Sequence, residues 1–180
     1  MAAFRINKSV AFFLLKMFAM ILVWEYSYHF FLKPVRIPDK LLTDIVTIAV
    51  TKCLNIFFSS AHQATWVHDM IQPLDDISRD GKIFLQIFDG CNGLDLITIY
   101  LLLIIVLPGT FKRKILFSLA GIIGITILNI LRCLLLYWIY KTHPNVYDFN
   151  HHYTFTILMY LVIFYGWLLF TKNLRQNEAR

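Results

Sequence analysis

Residues 115–140 read ILFSLAGIIGITILNILRCLLLYWIY, and the only charged side chain in this run is Arg132. A helix of about 20 apolar residues is long enough to cross the hydrocarbon core of a bilayer. The run therefore predicts a transmembrane helix. An arginine inside such a helix is costly, and residues of this kind usually persist because they have a function.

Apolar runs on both sides of this helix predict a polytopic membrane protein. The chain has 180 residues, of which 58% are hydrophobic, and its mean hydropathy is +0.63. A soluble domain of this size cannot bury so much apolar surface. We predict an all-α integral membrane protein in which residues 1–180 form one membrane domain. Its predicted spans are, approximately, 10–31, 93–107, 115–140 and 153–170.

The segment 41–60 leaves the number of transmembrane helices open. Asp44, Thr47, Thr51 and Asn55 recur at helical spacing among apolar residues, which predicts an amphipathic helix. The helix either lies at the membrane surface, with its polar stripe outward or packed inward, or crosses as an extra span. The first option gives a bundle of four transmembrane helices and the second gives five. The charged residues inside the segment favour four.

Residues 61–90 form the only extended polar stretch, and we predict that they make one small external polar segment. Arg79-Asp80-Gly81-Lys82 lies within it. This sequence is typical of a hairpin turn between two short strands.

The net charge of +6 comes from basic residues that cluster at the ends of spans. This distribution is typical of topology signals, so we expect contacts with membrane lipid and no nucleic-acid partner. The positive-inside rule places 112–114 and the basic tail in the cytoplasm. Cys91 and His151 then lie at the outer face. Arg132 lies about 12 Å below that face and can extend its head group toward it.

Cys91, Arg132 and His151 are the candidate site residues because the predicted topology brings them to one membrane face. A thiol, a guanidinium and an imidazole together predict a cysteine nucleophile with its activating groups. A helix amino terminus and a nearby cation both favour the reactive thiolate. The alternative is structural: a small buried cysteine, an arginine bound to lipid headgroups and an idle interfacial histidine.

Three further residues have supporting roles in this prediction. Asn129 shares a helix face with Arg132 and can orient it. Asp95 lies one turn below Cys91 and can pair with Arg132 across the helices, while His152 is an alternative to His151. The remaining histidines and the three cysteines show no ligand spacing. We therefore expect neither a metal site nor a cofactor.

Three short motifs occur in a fixed order: Cys91-Asn92-Gly93-Leu94, Asn129-Ile130-Leu131-Arg132 and Asn150-His151-His152-Tyr153. Together with a Pro-Gly turn and a basic loop between the spans, they resemble the exosortase/archaeosortase family over residues 90–170. This chain is similar to a compact, short form. It departs from the family pattern at Asn92, where a small residue is usual.

The resemblance implies a cysteine transpeptidase with Cys91, Arg132 and His151 as catalytic residues. Its partners would be exported proteins that carry a carboxy-terminal motif, a membrane span and a basic tail. Cleavage would pass through a thioester at the outer face of the bacterial cytoplasmic (inner) membrane, with an amine or water as acceptor. The alternative from another class is a non-catalytic membrane subunit that assists assembly or export of envelope components.

Overall fold

A computed structural model describes residues 8–57, 63–69 and 72–178. The described chain contains six α-helices and three strands, with short 3₁₀ and π-helical turns between some of them. The helices are α1 (Lys8–Ser27), α2 (Asp39–Phe57), α3 (Leu94–Val106), α4 (Phe111–Thr142), the short α5 (Tyr147–Phe149) and α6 (Phe155–Glu178). The strands are β1 (Thr65–His68), β2 (Leu74–Arg79) and β3 (Lys82–Phe88).

Helices long and apolar enough to cross a membrane confirm the predicted all-α membrane class. Within the described ranges there are three such segments: Val10–Val35, Phe111–Thr142 and Pro144–Lys172. The predicted spans 10–31, 115–140 and 153–170 each lie inside one of them. The predicted span 93–107 corresponds to α3, which is apolar but has only 13 residues.

Tyr100 on α3 holds the membrane helices together. Its ring is buried, and its hydroxyl donates a 3.0 Å hydrogen bond to the carbonyl oxygen of Phe117 on α4. The ring lies against two glycines, Gly121 on α4 and Gly166 on α6. A Cβ atom at Gly121 would lie 1.9 Å from the ring, so this position must be glycine for α3 and α4 to pack this closely.

α2 packs between the bundle and the sheet. Its residues Val46, Val50 and Leu54 are fully buried against Ile77 and Ile87 of the sheet and against α4. The predicted amphipathic helix is therefore present, and α2 is not one of the three long apolar segments. Positions 58–60 of the predicted segment lie outside the described residues.

The polar stripe of α2 faces inward. Thr47 and Thr51 are buried, and Asn55 binds the backbone of Ala64 through both its amide nitrogen (3.0 Å) and its amide oxygen (2.7 Å). These contacts support an amphipathic helix that packs its polar stripe inward.

The external polar segment contains a three-stranded antiparallel sheet in the order β1-β2-β3. Asp80 and Gly81 join β2 to β3 with φ angles of 55° and 73°. Two positive φ angles are typical of a tight hairpin turn, so the predicted hairpin is confirmed. β1 was not predicted, and residues 61, 62, 70 and 71 of this segment lie outside the described residues.

A short connection joins α3 to α4, so the two helices are antiparallel neighbours. Cys91 lies before the start of α3, and the basic loop follows its end. Lys114 donates a 2.7 Å hydrogen bond to the carbonyl oxygen of Ile105, near the end of α3. Arg113 donates to the carbonyl oxygen of Phe170 on α6 and lies over its ring at 4.8 Å. The basic residues thus lie at the end of the bundle opposite to Cys91.

Candidate active site

Cys91 lies in a short turn between the sheet and the membrane bundle. β3 ends at Phe88, a 3₁₀ turn covers Asp89–Cys91, and α3 begins at Leu94. Gly93 has a φ angle of 89°, a left-handed conformation that strongly favours glycine. Of the two glycines that flank the cysteine, only Gly93 has a positive φ angle.

Asn92 anchors this turn to α2 and caps α3. Its buried amide nitrogen donates to Asp39, at 3.1 Å to the carboxylate and 3.2 Å to the carbonyl oxygen, and to the hydroxyl of Thr43 at 3.3 Å. Its amide oxygen accepts a 2.8 Å bond from the backbone N–H of Leu94. These contacts give the Asn92 amide a structural role in holding the turn.

Asp89 holds the other side of the turn. Its carboxylate accepts two bonds of 2.7 Å from the guanidinium of Arg36 and a third of 2.8 Å from the hydroxyl of Thr43. Bidentate pairs of this kind are the strong and geometrically specific ones. The backbone is therefore held on both sides of Cys91, by Asp89 before it and by Asn92 after it.

Asn129 connects Cys91 to the charged residue of α4. The Asn129 side chain is fully buried, and its amide nitrogen donates a 2.8 Å hydrogen bond to the carbonyl oxygen of Cys91. Its amide oxygen lies 3.4 Å from Nη1 of Arg132, and Nη2 of Arg132 lies 3.4 Å from Nε2 of His151. The structure thus brings Cys91, Asn129, Arg132 and His151 together. Their catalytic roles stay predictions.

The two adjacent histidines have different surroundings. His151 is half-buried in the π-helical turn Asn150–Thr154, next to Arg132, and its ring stacks on that of Tyr147 with 5.7 Å between the ring centres. His152 is exposed, and its Nδ1 lies 3.0 Å from the carbonyl oxygen of Asp148. This geometry favours His151 over His152 as the site residue.

The structure does not pair Asp95 with Arg132. Asp95 lines a separate cavity of about 390 Å³, and the charges that act on it come from Glu25, Asp39 and Lys33. The expected pairing assumed a continuous helix through Cys91. The 3₁₀ turn and the left-handed Gly93 interrupt that helix, so Cys91 and Asp95 do not share a helix face.

A second polar cluster joins α2 to the sheet. One ligand-type atom from each of Asp44, His68 and Asp75 lies within 4.8 Å of the others. Burial raises the pKa of the Asp44 carboxyl, and the negative charge of Asp75 raises it further. His68 Nδ1 lies 2.6 Å from the Asp75 carboxylate, and Nε2 lies 2.6 Å from Nη1 of Arg36.

These hydrogen bonds determine which nitrogen of His68 carries the proton, and so whether the cluster can bind a metal ion. A guanidinium only donates, so Nε2 of His68 accepts from Arg36 and the ring proton is on Nδ1, where it is donated to Asp75. Neither ring nitrogen then offers a free lone pair to a metal ion. The cluster fits a hydrogen-bonded network that orients Arg36 toward Asp89, and it does not fit a metal centre.

Sequence reasoning missed the residues that position the Cys91 turn, because their partners lie far away along the chain. Asn92 and Asp39 are 53 positions apart, as are Arg36 and Asp89. The only local signal was the spacing of Asp39 and Thr43, which places two polar side chains on one face of α2. No pattern in the sequence indicated that the ring of Tyr147 would lie beside His151.

The chain was compared with known families, curated proteins and solved structures. The model of a family described as transmembrane exosortase matches residues 2–172, which is nearly the whole chain. No curated protein and no solved structure matches it.

Proposed function

The chain belongs to the transmembrane exosortase family, and on this premise we propose that it is a membrane-embedded cysteine transpeptidase or peptidase. Its substrates are exported proteins that end in a short motif, a membrane span and a basic tail. It cleaves this sorting signal at the outer face of the bacterial cytoplasmic membrane.

The observation that carries the proposal is the polar chain through Asn129. This one buried amide contacts the backbone of Cys91 and the guanidinium of Arg132, which in turn contacts His151. A half-buried arginine among apolar helices requires partners, and here its partners are Asn129 and His151. A cysteine nucleophile needs a base and a charge-stabilising group nearby, and this chain of contacts brings candidates for both to the turn that carries Cys91.

The first half of the reaction is acyl transfer to the enzyme. Nε2 of His151 gives up its 3.4 Å contact with Nη2 of Arg132 and accepts the proton of the Cys91 thiol, and the thiolate attacks the carbonyl carbon of the scissile peptide bond. Arg132 stabilises the negative charge on the tetrahedral oxygen. The C–N bond then breaks, His151 returns its proton to the leaving amine, and a thioester remains on Cys91.

The second half releases the processed protein. An amine or water attacks the thioester carbon, and His151 accepts the proton of this nucleophile. The C–S bond breaks, and the proton passes to the Cys91 sulfur, so the enzyme returns to its starting state. An amine acceptor gives transpeptidation and water gives hydrolysis.

The placement of the basic loop supports an outward-facing site. Arg113 and Lys114 lie at the end of the bundle opposite to Cys91 and are tied to the ends of α3 and α6. Basic residues concentrate on the cytoplasmic side of membrane proteins. Cys91, His151 and the sheet then face outward, where exported proteins are accessible.

The test is processing in cells of an exported reporter that carries such a sorting signal. Cys91→Ser should abolish processing while the protein remains in the membrane, because a hydroxyl in this position is a far weaker nucleophile. Cys53→Ser, which changes a free and half-buried cysteine of α2, is the matched control and should process normally. Normal processing by Cys91→Ser would instead support a non-catalytic membrane subunit.

A further inference from the structure

β3 is an edge strand whose outer side has no strand partner among the described residues. The sheet order is β1-β2-β3, and β3 pairs with β2 alone. An edge strand presents a row of backbone N–H and C=O groups that can pair with another extended chain. β1 forms the opposite edge of the same sheet.

A groove of about 500 Å³ runs along the free edge of β3. Four consecutive residues of the strand, at positions 83–86, all line it. Successive side chains of a strand point to opposite faces of the sheet, so a cavity that all four residues touch lies beside the strand and not over one face. The facing wall consists of Leu136, Tyr137, Tyr140 and Tyr147.

The groove leads to the candidate active site. Tyr147 lines the groove and stacks on the ring of His151. Phe88 also lines it, and the chain continues from Phe88 through the short turn to Cys91. A peptide that lies along β3 therefore arrives with its backbone at the proposed nucleophile and its proposed acid–base partner.

We propose that this groove is the substrate-binding site, and that the extended segment of the sorting signal pairs with β3 as a fourth strand. The proposal rests on the function proposed above and adds the mode of recognition. Backbone hydrogen bonds to β3 supply affinity, and alternate side chains of the peptide enter the groove. The apolar and tyrosine side chains of the lining favour an uncharged segment.

Two features of the groove favour a peptide over other occupants. The acyl chain of a lipid has no groups to pair with the backbone of β3, and the lining includes Gln86 and three tyrosines. Residues of α4 and Tyr147 form the wall of the groove opposite the strand, so a second copy of the sheet that paired edge to edge with β3 would meet this wall.

Photocrosslinking in cells tests this proposal with the full-length membrane protein. A photoreactive phenylalanine analogue is placed at Ile83, which lines the groove and is 55% exposed. The matched control carries the analogue at Val67 on β1, which is 63% exposed and lies on the opposite edge. Both proteins also carry Cys91→Ser, so that the bound reporter is not cleaved, and the reporter is detected by its own tag.

The reporter should crosslink at Ile83 at least about fivefold more than at Val67. A reporter without the residues that precede its membrane span should lose this signal. Equal crosslinking at the two positions would overturn the proposal, as would crosslinking at Ile83 to lipid or to a second copy only.

Processing by the enzyme with an intact Cys91 separates the failure of the groove from the failure of the function. If this enzyme processes the reporter and Ile83 gives no crosslink, the groove proposal fails and the function stands. If processing does not depend on Cys91, the proposed function fails and the groove proposal falls with it.

A pair of charge substitutions provides a second measurement. Ile83→Glu should lower the rate of reporter processing by about tenfold or more, because an unpaired charge in the groove opposes binding of an uncharged peptide. Val67→Glu places the same charge on the other edge of the sheet and should leave the rate within about twofold. Equal rates for the two variants would contradict the assignment of the groove.

Discussion

The amide nitrogen of Asn129 donates a 2.8 Å hydrogen bond to the backbone carbonyl oxygen of Cys91. The contact joins α4 to the turn before α3, across 38 positions of sequence. Because Asn129 also contacts Arg132, the position of the proposed nucleophile and the position of the proposed oxyanion-stabilising cation depend on the same buried side chain.

Asn129→Leu should strongly reduce processing. The substitution keeps roughly the same volume but removes both hydrogen bonds, which leaves the Cys91 carbonyl and the Arg132 guanidinium without this partner. Buried polar groups left unpaired cost about 1–3 kcal/mol each, so we expect a loss of about 10-fold to 100-fold in reporter processing. Thr126→Val, one turn earlier on α4, removes only a bond to the helix backbone and should process normally.

Arg132→Lys should restore only part of the activity that Arg132→Ala loses. Nη1 of the guanidinium lies toward Asn129 while Nη2 lies toward His151. A lysine keeps the charge, but its donors all lie on one nitrogen and cannot reproduce the planar fork that reaches both partners, so both contacts should weaken. Reporter processing rates of the three proteins, each normalised to its amount in the membrane, provide the measurement. Full activity of the lysine variant would show that charge alone is required.

His151→Ala should abolish processing, and His152→Ala should have a mild effect. Only His151 contacts Arg132, whereas His152 is exposed and lies against the backbone of its own turn. The two variants differ by one position in the same turn, so each controls for the effect of the other on folding. Loss of processing in His152→Ala alone would transfer the proposed acid–base role to that residue.

The membrane helices could be predicted from sequence because the bilayer constrains the length and the hydrophobicity of one continuous run of residues. A run such as 115–140 must be apolar and long enough wherever it lies, and it falls inside α4 (Phe111–Thr142). The hairpin turn was equally local, since an Asp-Gly pair adopts positive φ angles by the nature of the two residues themselves, as Asp80 and Gly81 do.

The contacts around the proposed site could be predicted only in part. Asn129 and Arg132 share a helix face, so spacing alone brought them together. The bond from Asn92 to Asp39 joins two elements whose packing no local pattern specifies. Asp95 was misplaced for a related reason, since the break in helix geometry at Gly93 is not visible in the hydropathy pattern.

Asp44→Asn should stabilise the protein at neutral pH and lose this effect in acid. Burial and Asp75 raise the pKa of Asp44 above its ordinary value of 3.8, so ionised Asp44 destabilises the fold. The loss of folding free energy caused by ionised Asp44 is present above the folded-state pKa. It shrinks as pH falls through that pKa and is absent below the unfolded-state pKa. We expect Asp44→Asn to unfold at a higher temperature than the unsubstituted protein at pH 7, and this difference should vanish below about pH 4.

Asp76→Asn is the control for this pH dependence, because Asp76 lies on the same sheet and accepts a 2.9 Å bond from Gln86. The unfolding temperature of Asp76→Asn should stay close to that of the unsubstituted protein at both pH values. An Asp44→Asn protein that unfolds at a lower temperature at pH 7 would show that the ionised carboxylate stabilises the cluster with His68.

Gly121→Ala should destabilise the membrane bundle, whereas Gly124→Ala should not. A Cβ atom at position 121 would lie 1.9 Å from the Tyr100 ring, while one at position 124 meets nothing within 4 Å. The ring cannot move aside freely, because its hydroxyl is bonded to Phe117 and its other edge lies close to the backbone of α6. At Gly166 even a Cβ atom would be only 3.1 Å from the ring. Overpacking of this kind costs about 1–3 kcal/mol, which lowers the unfolding temperature by roughly 5 °C.

Thermal unfolding in detergent compares the two variants, which are both alanines on α4, one turn apart. A Gly121→Ala protein that unfolds at the same temperature as Gly124→Ala would contradict the close packing of α3 and α4 at Tyr100.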